Sequence, residues 1–141
     1  MRGKRNKVSM KALLDTHILL WWFEDKNRLP KSHNRVIQGV TPDNPLLVSD
    51  ISLWEVATLF ELGRIRLRIP LQEWLQMAVA PPLVELCLIS PAIAAEVSKL
   101  PSTFHRDPAD RIIASTAIAL GATLLTCDER ILQGNVCSIL K

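Results

Sequence analysis

The sequence predicts an α/β domain with a central parallel sheet flanked by helices, and three observations carry that prediction. Short apolar runs without a two-residue alternation are separated by helical patterns, as expected of strands buried on both faces. Several of these runs end in acidic or hydroxyl residues that open the next helix, and ligand-binding residues of parallel sheets gather at those strand ends. The chain of 141 residues suits one domain, long enough to bury about two-thirds of its unfolded surface.

Residues 11–14 read as the first buried strand, followed by a helix over 17–24 and another over 30–38 with Pro30 in its first turn. Pro42 and Pro45 mark a loop before Leu46-Leu47-Val48-Ser49, a second strand. Ser52-Leu53-Trp54-Glu55 has the form of a capping box, which starts a helix there, puts Glu55 in its first turn and lets Gly63 end it. The alternation Arg64-Ile65-Arg66-Leu67-Arg68-Ile69 reads as an extended segment, and a helix follows over 71–79. After the Pro81-Pro82 break come a β-like run over 84–89, a helix over 91–100 and a loop over 101–106. Residues 108–120 form a strong helix closed by Gly121, and 122–126 a further buried strand. No repeat or low-complexity segment interrupts this order.

Composition excludes several classes. No apolar run approaches the roughly 20 residues that span a bilayer, and no secretory signal pattern is present, so a soluble, cytoplasmic protein is expected. Cys87, Cys127 and Cys137 are odd in number and widely spaced, which suits reduced core thiols better than disulfides or a zinc site. The formal charge of +3 rests on Arg2, Lys4, Arg5 and Lys7, and without them it is −1. It is therefore weak support for nucleic-acid binding. Residues 1–9 read as a basic extension, either disordered or a misassigned start, ahead of a domain over 10–141.

Asp15, Glu55, Asp110 and Asp128 are the informative residues, because right-handed crossovers bring the ends of parallel strands to one edge. Carboxylates crowded together repel, so a shared site implies a bound cation or a shared proton. Oxygen ligands suit magnesium or manganese, which leave positions for phosphate oxygens and an attacking water. For any single acid, helix capping is the simpler account, contributing about 0.5–2 kcal/mol. It does not explain why the acids follow successive strands.

Four blocks, in order, carry a resemblance: Leu13-Leu14-Asp15-Thr16-His17; Ser49-Asp50-Ile51-Ser52-Leu53-Trp54-Glu55-Val56-Ala57; His105-Arg106-Asp107-Pro108-Ala109-Asp110-Arg111-Ile112-Ile113-Ala114; and Thr126-Cys127-Asp128-Glu129-Arg130-Ile131-Leu132. Together they resemble PIN-domain ribonucleases of the VapC toxin type, from about Met10 to the C-terminus. The resemblance implies a magnesium- or manganese-dependent endoribonuclease, an RNA substrate, a cognate antitoxin and a homodimer. It places the catalytic and metal-binding acids at Asp15, Glu55, Asp110 and Asp128. Asp107 is then the N-cap before Pro108. Two departures stand out: Leu59, where many such toxins carry Lys, and the segment 1–9.

Thr16, Ser49 and Asp107 are candidates to support the site, with helix capping at least as good an account. Arg106 and Arg111 flank it and are candidates for RNA phosphate or partner contacts, against pairing with Asp107 or Asp110. Arg64, Arg66 and Arg68 read as a solvated face in slight preference to a phosphate strip. His17 and His105 lack zinc or triad spacing and read as loop or capping residues. Trp21 and Trp22 read as core, although they cannot share one helical face, and an exposed one could stack on RNA or anchor a protein. The competing reading is a catalytically inactive PIN-like module that binds RNA or protein with its acids serving as caps. Phosphotransfer through an aspartyl intermediate ranks last, since Asp15-Thr16-His17 lacks a second Asp two positions on.

Overall fold

A computed structural model describes residues 10–141, so the basic segment 1–9 lies outside the described residues. The elements in order are β1 (Ala12–Leu14), α1 (Thr16–Glu24), a 3-10 turn (Lys26–Arg28), α2 (Lys31–Gln38), β2 (Leu46–Ser49), α3 (Asp50–Glu61) and α4 (Leu71–Ala78). They continue with β3 (Val84–Cys87), α5 (Pro91–Val97), α6 (Pro108–Leu120), β4 (Thr123–Leu125), α7 (Glu129–Gly134) and β5 (Ile139–Leu140). The five strands form one sheet in the order β3-β2-β1-β4-β5, with every pairing parallel.

Both faces of the sheet are covered, which is why its strands lack alternation. Ala12, Leu14, Leu46, Val48 and Leu125 pack on one face with Ile18 and Leu19 of α1, Val56 of α3 and Trp74 of α4. Leu13, Leu47, Cys87 and Leu124 pack on the other with Ile113, Ala114 and Ala117 of α6 and Ile131 of α7. Leu13, Leu14, Leu124 and Leu125 have no exposed surface. Truncating one of them to Ala costs about 2–5 kcal/mol, from lost transfer energy and the cavity left behind.

The chain runs outward from β1 through β2 to β3, then returns to lay β4 on the opposite side of β1. The sheet order therefore reverses between β1 and β4, and a crevice opens beyond their carboxyl ends. Gly121, at φ +63°, ends α6 in the left-handed conformation and aims the chain into β4.

Several expectations change. The capping box at Ser52 is not used: Ser49 caps α3 by accepting from Ile51 N at 3.2 Å, so the helix starts three residues earlier and Glu55 lies in its second turn. Ser52 is fully buried in the helix instead. Residues 64–69 form no strand, yet Ile65, Leu67 and Ile69 pack on the core while Arg64, Arg66 and Arg68 face solvent. Strand β5 was not expected, since two residues carry no readable period. It exists through pairing with β4 and through buried His33, whose Nε2 donates to Leu140 O at 2.8 Å.

Cys87 is buried, but Cys127 is exposed, so it is not a core thiol. Trp74 is wholly buried, Trp21 and Trp22 are half-buried, and Trp54 is 59 % exposed. Leu59 packs against the core, which accounts for an apolar residue at that position. No described helix is long and apolar enough to cross a membrane.

Candidate active site

Asp15 follows β1 directly and caps α1, whose N-terminus lies at the crevice. It is buried, and both carboxylate oxygens are held: Thr16 N donates to Oδ1 at 2.8 Å and the Thr126 hydroxyl donates to Oδ2 at 2.7 Å. Burial raises its pKa above the ordinary value, opposed by those two hydrogen bonds. Thr126 Oγ1 also accepts from Asp128 N at 3.0 Å, so one hydroxyl ties the ends of β1 and β4 together. Asp128 caps α7 through Oδ1, which accepts from Arg130 N at 2.8 Å and Ile131 N at 3.3 Å.

Glu55 reaches the crevice from α3. The Thr16 hydroxyl donates to Glu55 Oε1 and lies 2.9 Å from the buried Ser52 Oγ. Burial is the main cause that raises the Glu55 pKa. Thr16 therefore contacts Glu55, whereas Ser49 caps α3.

Asp107 caps α6 by accepting from Asp110 N at 3.1 Å, and Asp110 sits in that helix's first turn. Carboxylate oxygens of Glu55, Asp107 and Asp110 lie within 4.8 Å of one another. The expected cap at Asp107 is thus present, and the same side chain belongs to the acidic cluster. Burial pushes the Asp110 carboxyl up to about 8, with the charges of Asp15, Asp107, Asp128 and Glu55 adding to it. Two bases face the same group: His105 Nε2 is 3.3 Å and Arg130 Nη2 3.7 Å from Asp110 Oδ2. Arg130 Nε is also 3.8 Å from Asp128 Oδ1.

The structure therefore brings Glu55, Asp107 and Asp110 into one tight group, with Asp15 electrostatically coupled to Glu55 and Asp110. Asp128 stands at the edge, lining with Asp15, His17, Trp21 and Cys127 a cavity of about 170 Å³. Every ligand-capable group of the tight cluster is a carboxylate oxygen, a donor set that suits a hard divalent cation and not a soft one. Burial first, and then the charges of the neighbouring carboxylates, disfavour the charged form of Asp110, an effect that an added cation would relieve. The residues fit a hard divalent cation on both counts.

Arg111 differs from expectation. Nη1 donates to Phe104 O and His105 O at 3.3 Å each, and Nη2 to Val97 O at 3.5 Å. These bonds tie down the loop that carries His105 and leave Arg111 a poor candidate for RNA or a partner. Arg106 is exposed. Thr126, His105 and Arg130 were not singled out as site residues. Thr126 had a readable signal, a hydroxyl at a buried strand end two residues before an acid. His105 and Arg130 had none, because their approach to Asp110 depends on how a loop and α7 pack.

Fold and site together define an all-parallel α/β domain with an acidic, all-oxygen crevice at the point where the strand order reverses. The chain belongs to the PIN-domain family, whose model matches residues 12–135. A ribonuclease, VapC22 of Mycobacterium tuberculosis (strain ATCC 25618 / H37Rv), is 40% identical over 120 residues, covering 85% of this chain and 88% of that protein. Among solved structures, VapBC2 from Rickettsia felis bound to a promoter DNA fragment superposes with a TM-score of 0.69 at 19% identity, covering 92% of this chain and 96% of that one. VapBC-1 from nontypeable Haemophilus influenzae gives 0.68 at 18% identity, with the same coverage. At these identities the structural likeness establishes the fold.

Proposed function

We propose that this chain is a metal-dependent endoribonuclease of the VapC toxin type, which hydrolyses RNA phosphodiester bonds and is neutralised by a cognate antitoxin. The observation that carries the reading is the convergence of Glu55, Asp107 and Asp110 within 4.8 Å, beside the immobilised Asp15. The 40% identical ribonuclease supports it, as do the structural neighbours VapBC2 and VapBC-1.

In this reading Asp15, Glu55 and Asp110 would hold magnesium or manganese, Asp128 would complete the catalytic acids from the rim, and Asp107 would support them. When bound, the ion would supply an activated water and offset charge developing on the phosphoryl group. The chain's own residues do the rest. Thr16 and Thr126 fix Glu55 and Asp15 in place, so little reorganisation is needed when substrate arrives. Asp110 holds a proton near neutral pH without an ion and releases it when positive charge arrives, so cation binding tightens as pH rises.

The purified chain, freed of antitoxin, is expected to cleave RNA with magnesium or manganese and not in excess chelator. Asp15→Asn and Asp110→Asn should each abolish cleavage while the circular-dichroism spectrum stays native. Cleavage in chelator, or cleavage untouched by both substitutions, rejects the mechanism. A folded chain with no manganese binding in calorimetry at millimolar metal would favour the inactive-module reading.

A further inference from the structure

The acid crevice continues into a second cavity of different character. That neighbouring cavity, about 330 Å³, is lined by His17, Leu20, Trp21, Glu24, Asp25, Arg28, Arg64, Ile65 and Arg66. His17 and Trp21 line both. They stand one helical turn apart on α1, their ring centroids 6.3 Å apart and their planes tilted by 56°, so two separate aromatic rings lie between an acidic end and a basic end.

The cations at the basic end are not equivalent. Arg28 stacks over the Trp21 ring at 4.6 Å. Arg68 pairs with Glu24 at 3.7 Å and donates to Glu24 O at 2.8 Å, and Glu24 also accepts from Trp74 Nε1 at 2.9 Å, so that acid is offset. Arg64 and Arg66 have no carboxylate partner within salt-bridge distance among the described residues. They are nevertheless held, because Ile65, Leu67 and Ile69 between and beside them are packed into the core. Two unpaired guanidinium groups on an anchored segment, next to aromatic faces, match the alternating phosphates and bases of an unpaired nucleic-acid strand.

We propose that this cavity is a substrate subsite: single-stranded RNA leaving the acid cluster sets a base beside the His17 and Trp21 rings and its flanking phosphates on Arg64 and Arg66. The subsite rests on the reading of the acid cluster as a ribonuclease centre. It gives a reason for the arginines to lie beside the acids instead of among them. The scissile phosphate needs the cation, and the neighbouring phosphates need fixed positive charge of the chain's own.

The test uses the full chain in EDTA, where binding is separated from cleavage, and a fluorescein-labelled mixed-sequence single-stranded RNA read by anisotropy across a salt series. Arg64→Ala combined with Arg66→Ala should flatten the slope of log affinity against log salt by about 1.4, which corresponds to two lost phosphate contacts on a single strand. Trp21→Leu should weaken binding at least about fivefold, and Trp21→Phe should recover most of it. In magnesium, the arginine pair should raise KM and leave kcat within about twofold of the parent.

An unchanged salt slope with unchanged KM overturns the proposal. So does an arginine pair that binds RNA normally but loses the antitoxin, which would assign the surface to protein. A wild-type chain that binds RNA with the full salt slope yet never cleaves it sinks the ribonuclease reading alone. Wild-type cleavage with RNA binding indifferent to Arg64, Arg66 and Trp21 sinks the subsite alone.

Discussion

Thr126 shows how one hydroxyl can govern a charged site. It donates to Asp15 and accepts from the Asp128 backbone, so the residues that follow β1 and β4 share one hydrogen-bonded junction. Thr126→Val keeps the shape and removes both bonds, leaving a buried carboxylate oxygen without its donor, at a cost of about 1–3 kcal/mol. Chemical denaturation should register that loss, and RNA cleavage should fall at least tenfold if Asp15 is held for chemistry. Cleavage at wild-type rate would mean that Thr126 is structural only. Thr16 acts similarly on Glu55, so the site's geometry depends on residues that carry no charge.

At the scale of elements, helix starts decide which side chains reach the crevice. Asp15, Asp107 and Asp128 each cap a helix as well as facing the site, so the capping account and the catalytic account describe the same residues. Helix α3 is the exception, because Ser49 and not an acid caps it, leaving Glu55 to project from the second turn. Ser49→Ala should therefore lower stability by about 1 kcal/mol while RNA cleavage by the folded fraction persists. Ser52→Ala should act mainly on cleavage, through the Thr16–Glu55 contact. A reversed pattern, with stability lost at Ser52 and cleavage lost at Ser49, would restore the capping box. The Ser-x-x-Glu spacing misled because a fully buried Ser inside a helix and a capping Ser look alike in sequence.

Over the whole molecule, the crowded acids couple stability to pH and to metal. Asp110 titrates near 8 in the folded chain and an unfolded Asp near 4. Between those values the folded chain keeps a proton that the unfolded chain has lost, so this contribution is complete at low pH and disappears as pH rises through about 8. Burial shifts Asp15 and Glu55 in the same direction. In chelator, the thermal midpoint of the wild type should therefore fall relative to that of Asp110→Asn from about pH 5 to about pH 8. Millimolar manganese at the upper pH should raise the wild-type midpoint more than the variant's, since only the folded site binds it. A wild-type midpoint that climbs relative to the variant across that window contradicts the assignment of Asp110.

The alternation of buried strands with helices, the order of the elements and the four acidic positions are local properties. Apolar periodicity, proline and glycine punctuation and strand-end acids record them in adjacent residues, so the sequence alone determined the parallel α/β class and marked acids that the fold brings to one crevice. Tertiary structure decided what depends on residues far apart in the chain. It drew Asp107 into the carboxylate group, set His105 and Arg130 against Asp110, turned Arg111 inward to three carbonyls and formed β5 from two residues held by His33. Each of those outcomes turns on a distance across the fold, and no pattern of neighbouring residues encodes it.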